Sequence, residues 1–358
     1  MRIFVYFLIA ILVFSACSKQ DEKPIIPASK PEFLRAVDIS AFPEIAQADP
    51  VFYNAPGSEQ SFLGILKESG VNAVRLKLWV DPVNDHASFA EVKSFSETLK
   101  NQGFKTWITV HYSDTWADPG NQEIPARWTG LDFETLKDSV FSYTTKVMRE
   151  LQPDYIQIGN EINPGLLLPA GSVSQHLKQF QELLQTAAEA IRITNENTHI
   201  ISHYAGFQDA DWFFEQVISI DYDIIGLSYY PLWHGKSLEE LKQKMQYLTS
   251  TFNKKIVIAE TAYPFTLGWN DWTNNIVGGV GQLIMPEFQA TEEGQRKFLQ
   301  HIKTLTKEVD GGIGFCYWGA ELIAWKGSEA TDASPWENQA LFDFSNRALP
   351  ALKVFGEE

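Results

Sequence analysis

The chain has 358 residues, 44% of them hydrophobic and 13% aromatic, which is enough to bury one large core or two modest ones. Its formal net charge is −16, and no basic cluster is longer than the pair Lys254-Lys255. A nucleic-acid partner, which needs a positive surface, is therefore excluded and a polyanionic substrate is disfavoured; a neutral ligand is expected, although negative charge also serves solubility alone.

Residues 1–16 resemble the signal peptide of a bacterial lipoprotein. Arg2 precedes an apolar stretch, residues 3–14, that is too short to span a bilayer, and two small residues stand before Cys17. The resemblance implies cleavage before Cys17 and lipidation of that cysteine, although Phe14 replaces the usual Leu and an ordinary secretory signal is the alternative. We expect an exported protein, lipid-anchored at the outer membrane or cell surface of a Gram-negative bacterium.

Residues 17–31 hold three prolines and five charged residues with almost no apolar periodicity, which predicts a flexible tether after the lipidated cysteine. Residues 32–358 then form one catalytic domain, because no second linker and no internal repeat appears. Cys316 stands alone in an apolar run, so an intramolecular disulfide is excluded and the fold must be held by its core.

Apolar runs of strand length alternate with amphipathic stretches of helix length throughout this domain. The predicted strands are Leu34–Ser40, Ala73–Val80, Lys105–Ser113, Tyr155–Asn163, His199–Gly206, Asp223–Pro231, Lys255–Pro264 and Ile313–Glu321. The predicted helices are Ser61–Ser69, Ser88–Asn101, Phe133–Leu151, Ser174–Ile193, Ser237–Phe252 and Thr291–Val309. The alternation predicts an α/β protein, a single (β/α)₈ TIM barrel. A doubly wound sheet is less suitable, since residues 41–44 lack its Gly-rich loop.

Two glutamates end apolar runs that are far apart in the sequence. Glu161 lies near the end of the fourth predicted strand and Glu260 near the end of the seventh. In such a barrel the carboxyl ends of the strands carry the chemistry, and two carboxylates there suggest a hydrolase that works with a carboxylate pair. Eleven Trp and twelve Tyr exceed what an average core needs, and their flat faces suit sugar rings, with core packing as the alternative.

Four ordered blocks resemble the signature of family 53 glycoside hydrolases, the arabinogalactan endo-β-1,4-galactanases. They are His-Tyr-Ser-Asp-Thr-Trp-Ala-Asp-Pro-Gly at 111–120, Gly-Asn-Glu-Ile-Asn at 159–163, Gly-Leu-Ser-Tyr-Tyr-Pro-Leu-Trp-His-Gly at 226–235 and Glu-Thr-Ala-Tyr-Pro at 260–264. The resemblance runs from about Arg35 to the end of the eighth strand. It implies a retaining enzyme that cuts β-1,4-galactosidic bonds in the (arabino)galactan side chains of pectin, with Glu161 as general acid/base and Glu260 as nucleophile.

Supporting roles are expected for other polar residues at the strand ends. Asn160 is expected to bind the sugar 2-OH, with a strand-end cap as the alternative. Arg75 is expected to pair with Glu260, unless its ion pair is purely structural. His111 either positions Glu161, binds substrate or is a satisfied core histidine.

The remaining expected substrate contacts are mostly aromatic. Tyr229 or Tyr230 should face the nucleophile, because strand alternation lets only one of them point inward. Trp318 is expected as the sugar platform, with core packing as the alternative. The other residues expected along the cleft are Asp114, Trp116, Trp233 and His234.

We expect no cofactor, and a monomer. Some bacterial members of the family carry an acidic calcium loop after the seventh strand, but residues 267–275 contain Asp271 as their only acid, which predicts no calcium site. Two other functions stay open. One is a related endo-β-1,4-glycanase acting on mannan, xylan or glucan, and the other is a glycan-binding lipoprotein that has lost catalysis.

Overall fold

The computed structural model describes residues 32–357; the expected signal peptide, lipidated Cys17 and tether lie outside this range. Eight parallel strands close a barrel, and at least one α-helix follows each strand; four-residue helices at Phe42–Ile45 and Pro231–His234 precede the longer helix after the first and the sixth strand. The predicted fold class is confirmed. Within the described range, no helix combines the length and apolarity needed to cross a membrane.

The strands stand in the order of the chain around the barrel, and the first closes it by pairing with the last, Leu34 opposite Gly314. The strands are β1 Leu34–Asp38, β2 Ala73–Leu78, β3 Lys105–Val110, β4 Tyr155–Ile158, β5 His199–Ala205, β6 Ile224–Ser228, β7 Lys255–Thr261 and β8 Gly312–Trp318. The helices that follow them are α1 Phe62–Glu68, α2 Phe89–Asn101, α3 Phe133–Leu151, α4 Leu177–Thr194, α5 Ala210–Gln216, α6 Leu238–Phe252, α7 Glu292–Glu308 and α8 Lys353–Gly356.

All eight predicted strands extend too far at their carboxyl ends. The fourth, predicted over Tyr155–Asn163, ends at Ile158, because the chain turns into the loop while its residues stay buried at the barrel mouth. Apolar or buried residues therefore continue past the last residue of the strand. The seven-residue helix α5 was not predicted, and neither was a short hairpin that joins Gly165–Leu166 to Gly171–Ser172.

Several helices begin where a short polar side chain satisfies a free backbone N–H of the first turn. The Oγ of Ser88 accepts from the N–H of Glu91, and the carboxylate of Asp132 accepts from the N–H of Thr135. Such caps contribute about 1 kcal/mol each, and they explain why the helix starts were predicted to within a few residues.

The barrel interior is stacked in layers. Small and apolar side chains close the bottom, and Trp107 lies among them, fully buried. The guanidinium carbon of Arg75 lies 5.6 Å from the centre of the Trp107 ring. Trp107 thus supports a cation that faces the carboxyl ends of the strands, where polar side chains replace apolar ones.

Candidate active site at the barrel mouth

A cleft of about 570 Å³ opens at the carboxyl ends of the strands. Both predicted glutamates, Glu161 and Glu260, lie in its wall, together with acidic and aromatic side chains from the surrounding loops. The other polar or aromatic residues along it are Asp38, Ser40, Lys77, Trp116, Asp118, Tyr230, Trp233, His234, Trp318, Glu321, Ser334 and Trp336. The cleft lies where the sequence predicts the chemistry.

A tight turn after β4 places Glu161. Gly159 has a φ of +74°, and a Cβ there would lie 2.4 Å from the side chain of Ile162, so only glycine fits. Glu161 itself has a φ of +48°, a left-handed conformation that costs a non-glycine residue about 1 kcal/mol or more. Its backbone N–H donates to Nδ1 of His203 at 3.3 Å, which helps to hold this conformation.

The two carboxyl groups face each other. One oxygen of Glu161, one of Glu260 and a ring nitrogen of His203 all lie within 4.8 Å of one another. Retaining glycosidases place their two carboxyl groups about 5–5.5 Å apart, whereas inverting enzymes leave about 6.5–9.5 Å for a water molecule. The separation here is of the retaining kind.

Glu260 is 4% exposed and lies beside a cation. Its Oε2 accepts a hydrogen bond from the hydroxyl of Tyr230 at 3.0 Å. Its Oε1 lies 2.8 Å from Nη2 of Arg75, which also donates to Oδ1 of Asn160 at 2.7 Å. The Arg75–Glu260 contact is an ion pair without good hydrogen-bond alignment, so Oε1 keeps a free lone pair. Arg75 also pairs with Asp38 at 2.6 Å, and so compensates two buried carboxylates.

Burial raises the pKa of both glutamates, but the two sites divide one proton unequally. The pKa of Glu161 rises to about 8, first because of burial and then because of the negative charge of Glu260. At Glu260, burial also raises the pKa, while Arg75 and the Tyr230 hydroxyl act against that rise. Because the Arg75 guanidinium lies 2.8 Å from Glu260, the negative charge is more stable on Glu260 and the proton on Glu161.

Two residues that the sequence analysis missed hold Glu161. Ser228, the last residue of β6, donates its hydroxyl to Oε1 of Glu161 at 2.5 Å. His203, on β5, lies 2.9 Å from the Ser228 Oγ through its Nε2. Both are polar residues near the carboxyl ends of buried strands. That was the signal used for the other strands, and it could have found them.

The structure distinguishes the two adjacent tyrosines. Tyr230 points into the cleft, whereas Tyr229 points outward, where its hydroxyl donates to the carbonyl of Gly235 at 2.9 Å and its ring packs against Phe207 and Phe298. The expectation that Tyr229 contacts substrate is therefore corrected, since its ring lies in the apolar layer behind the barrel wall.

Two further expected contacts are also corrected. Asp114 does not line the cleft; its carboxylate accepts from the backbone N–H groups of Asp81 and Ala126 and so organises the loop after β3. His111 is buried, and its Nδ1 accepts from the backbone N–H of Ala117 at 3.1 Å. Burial holds its pKa well below the usual value, so it is a neutral core histidine, the alternative that the sequence left open.

Aromatic rings form one wall of the cleft. The ring centre of Trp318 lies 4.5 Å from that of Trp336 and 5.9 Å from that of Trp116, with the ring planes inclined at 62° and 81°. Trp233, 54% exposed, extends this wall, and Trp336 joins it without having been predicted. His234 lines the cleft as expected; burial lowers its pKa to about 4, and its Nδ1 accepts from the Tyr230 N–H at 3.0 Å.

Asn160 and Arg75 lie beneath the two glutamates rather than along the cleft. Asn160 donates from Nδ2 to the carbonyl of Ala117 at 2.8 Å and accepts from Arg75. An amide nitrogen carries two hydrogens, so one N–H of Asn160 remains for a further acceptor.

The loops after β7 and β8 bring together oxygens that could hold a hard cation. Oδ2 of Asp271, Oε2 of Glu337 and Oδ1 of Asn275 are buried and have no hydrogen-bond partner among the described residues. Burial and the nearby Asp271 charge raise the pKa of Glu337. Carboxylate and amide oxygens suit Ca²⁺. The expectation of no calcium rested on Asp271 being the only acid of its loop, but the fold adds Glu337 from another loop.

Comparisons with known proteins agree with this geometry. The chain matches the family model of glycosyl hydrolase family 53 over residues 34–355. It is 34% identical over 328 residues to the arabinogalactan endo-β-1,4-galactanase of Cellvibrio japonicus (strain Ueda107), covering 85% of both chains. The solved family 53 catalytic domain of Ignisphaera aggregans is 36% identical with a TM-score of 0.85, covering 92% of this chain and 97% of that one. A solved structure of fungal β-1,4-galactanases is 28% identical with a TM-score of 0.79, covering 91% of this chain and 99% of that one.

Proposed function

The chain belongs to glycosyl hydrolase family 53, and from that premise we propose that it is a retaining endo-β-1,4-galactanase that hydrolyses the (arabino)galactan side chains of pectin. The observation that carries this proposal is the carboxyl pair, with one oxygen each of Glu161 and Glu260 within 4.8 Å. A glycan-binding protein without catalysis has no need of two facing carboxyls with opposite protonation.

In the first step, Glu260 is the nucleophile. Its carboxylate attacks the anomeric carbon, while the proton of Glu161 passes to the glycosidic oxygen as the carbon–oxygen bond breaks. The electron pair of that bond leaves with the protonated sugar hydroxyl, and a galactosyl ester forms on Glu260. Burial keeps Glu161 protonated for this purpose, and Arg75 keeps Glu260 charged.

In the second step, Glu161 is the base. It takes a proton from a water molecule, whose oxygen attacks the anomeric carbon, and the ester bond returns its electron pair to the Glu260 carboxylate. Two displacements on the same carbon retain the β configuration. Glu161 ends protonated and Glu260 ionised, as at the start.

A neutral β-linked sugar chain suits the walls of this cleft. Acidic side chains repel an anionic polymer, and the rings of Trp318 and Trp116 can pack against sugar faces. We assign the free N–H of Asn160 to the sugar 2-OH, a contact that strengthens as the transition state forms. Mannan, xylan and cellulose also have β-1,4 linkages, but the named relatives of this chain are galactanases.

One series of digests tests the substrate. We expect oligosaccharides from β-1,4-galactan and none from mannan, xylan or cellulose under the same conditions. Proton NMR during the first minutes should show the β anomer as the initial product. Early release of the α anomer would contradict the retaining mechanism, and preferential cleavage of another polymer would contradict the galactanase assignment.

The catalytic roles are tested on activated aryl galactosides with azide. Glu260→Ala should lose turnover by roughly four orders of magnitude while still binding galactan, and azide should restore it with an α-galactosyl azide product. Glu161→Ala should keep its first step on activated substrates, and azide should then give the β product. Glu196→Ala, an exposed glutamate far from the chemistry, is the control. The opposite pair of anomers would exchange the two roles.

We also propose that the mature protein is a monomer anchored by lipid at Cys17, at the outer membrane or cell surface. The support is the signal-like stretch before that cysteine. Cells fed labelled palmitate should yield a labelled protein, and Cys17→Ser should release it unlabelled from the membrane fraction. Sedimentation of the domain without residues 1–31 should give the monomer mass; a dimer mass would refute that part.

A further inference from the structure

On the basis of the proposed function, we propose that His203 and Ser228 are positioning residues that confine the catalytic proton of Glu161 to one oxygen, Oε2. Three hydrogen bonds define the device. The Glu161 N–H donates to Nδ1 of His203, Nε2 of His203 meets the Ser228 hydroxyl, and that hydroxyl meets Oε1 of Glu161. One imidazole thus holds the acid/base at both its backbone and its carboxyl group.

The tautomer of His203 follows from donors that cannot turn. The backbone N–H of Glu161 points at Nδ1, so Nδ1 accepts and carries no hydrogen. Oδ1 of Asn160 also lies 3.2 Å from Nδ1, but this oxygen already accepts from Nη2 of Arg75 and does not need the imidazole hydrogen. Nε2 of Gln157 lies 2.9 Å from the same atom, and that amide is oriented by its bonds to Gly159 O and to Nε of Arg75. Burial keeps the pKa of His203 well below its usual value, so the ring is neutral. Its hydrogen is therefore on Nε2 and is donated to Ser228.

The hydrogen of the Ser228 hydroxyl can then point to only one acceptor. Its oxygen accepts from Nε2 of His203 at 2.9 Å, so its own hydrogen must point to Oε1 of Glu161, at 2.5 Å. An oxygen that already accepts this hydrogen is a poor carrier of a second one. Oε2 has no hydrogen-bond partner among residues 32–357, and Glu161 borders the cleft.

The device bears on both chemical steps. In the first, the proton leaves from the oxygen that has no other partner, so no internal hydrogen bond must break. In the second, the Ser228 hydrogen stays on Oε1 and stabilises the newly formed carboxylate, while Oε2 takes the proton of water. No proton moves along the His203–Ser228 chain, and both residues end each cycle as they began.

The first test is the pH profile of Ser228→Ala. Removing the hydroxyl removes a hydrogen bond that stabilises ionised Glu161, so the alkaline limb of kcat/KM should move up by about 1 pH unit. The other groups facing Glu161 are Glu260 on β7, Arg75 on β2, Asp118 in the loop after β3 and Tyr230 after β6, and this variant leaves them unchanged. The matched control is Ser202→Ala on β5, whose buried hydroxyl has no partner among the described residues.

Two conservative variants separate the two bonds of His203. His203→Gln places an amide N–H near Nε2 and should keep the wild-type alkaline limb, although it loses the acceptor for the Glu161 N–H. His203→Asn places an oxygen near Nδ1 but loses the donor to Ser228, so its limb should shift as in Ser228→Ala. Equal shifts in both variants would indicate general damage and would overturn the assignment, as would an unshifted Ser228→Ala.

A measurement without turnover separates this inference from the proposed function. In protein labelled with ¹³C at glutamate carboxyls, the Glu161 resonance, assigned by its loss in Glu161→Gln, gives the pKa directly. A shift in Ser228→Ala in a protein that cleaves no galactoside would keep the device and refute the function. Normal cleavage with no shift would do the reverse.

Discussion

Two regions of the barrel mouth bury acidic side chains, but only one supplies its own cation. Beneath the cleft, Asp38 and Glu260 both pair with Arg75, at 2.6 and 2.8 Å. In the loops after β7 and β8, Asp271, Glu337 and Glu321 are as deeply buried, yet none of them pairs with a cation within 4 Å among the described residues. Each of these three also keeps one oxygen that has no hydrogen-bond partner in residues 32–357.

The difference shows how one chain gives like carboxyl groups unlike chemistry. Next to Arg75 a carboxylate can stay charged in a dry environment, as a nucleophile must. Without a cation in contact, the same group tends to be protonated or to become a ligand for an ion from outside; at Glu321, burial raises the pKa to about 8, although the charge of Lys77 acts against that rise. The following changes test this contrast, from the largest expected effect to the smallest.

The largest effect on stability and activity is expected when the cation beneath the cleft, Arg75, is removed. Arg75→Met leaves two buried carboxylates uncompensated, which should lower the free energy of unfolding by about 3–5 kcal/mol, measured by urea denaturation at pH 7. The pKa of Glu260 should rise as well, so activity near neutral pH should be lost. Arg192→Met removes a guanidinium that pairs with two acids at the surface, and it should cost about 1 kcal/mol or less. Similar losses in both variants would contradict the special role of Arg75.

Adding a cation should compensate the buried, unpaired carboxylates in the loops after β7 and β8. Ca²⁺ added to chelator-treated protein at a hundred times its Kd should add about 2.7 kcal/mol to the free energy of unfolding, seen as a higher Tm in calorimetry. Glu337→Gln should abolish that rise because it removes one of two carboxylates, whereas Glu196→Ala should keep it. Mg²⁺ should act more weakly, since it demands stricter geometry. No change in Tm with Ca²⁺ would uphold the expectation from sequence that no calcium is bound.

The fold and the two glutamates could be predicted from the sequence because both depend on local patterns. Eight apolar runs separated by amphipathic stretches specify the barrel, and each glutamate stands at the end of its own run. The closeness of Asp271 to Glu337 could not be read in this way. These residues lie in two irregular loops, on either side of α7 and β8, and no periodicity relates one loop to the other.

Whether a side chain points into the barrel or away from it could be predicted only where one residue of known direction fixed the alternation along the strand. Had Ser228 been recognised as inward-facing, the period of two along a strand would have placed Tyr230 inward and Tyr229 outward. Asp114 and His111 misled for a different reason. A polar residue at a strand end can satisfy loop N–H groups as well as substrate, and its sequence is the same in both cases.

Glu321 offers a pH test of a buried carboxyl that forms no ion pair within 4 Å among the described residues. Its pKa is about 8 in the folded protein, mainly because of burial, against about 4.3 in the unfolded chain. Between these values the unfolded chain releases a proton that the folded protein keeps, so this group makes stability fall as pH rises from 4.3 to 8.

Glu321→Gln mimics the protonated side chain and keeps an oxygen for the Ala41 N–H, which Glu321 binds at 2.8 Å. The variant should match the wild type in urea denaturation at pH 4 and be more stable by about 2 kcal/mol at pH 6. Parallel stability curves at both pH values would show that Glu321 titrates normally.

The smallest expected effect comes from the pair of adjacent tyrosines. Tyr230→Phe removes one hydrogen bond to Glu260, whose Oε2 accepts from that hydroxyl at 3.0 Å, but leaves Arg75 in place. Burial and the charge of Glu260 hold the pKa of Tyr230 well above 10, so it acts as a donor throughout the working range. Its loss should raise the pKa of Glu260, move the acid limb of kcat/KM to higher pH and lower the plateau roughly tenfold.

Tyr229→Phe also loses one hydroxyl, but that hydroxyl bonds to Gly235 behind the barrel wall, so its pH profile should match the wild type. If both variants moved the acid limb equally, the shift would report a disturbed β6 rather than a lost contact, and Arg75 alone would account for the charge on Glu260.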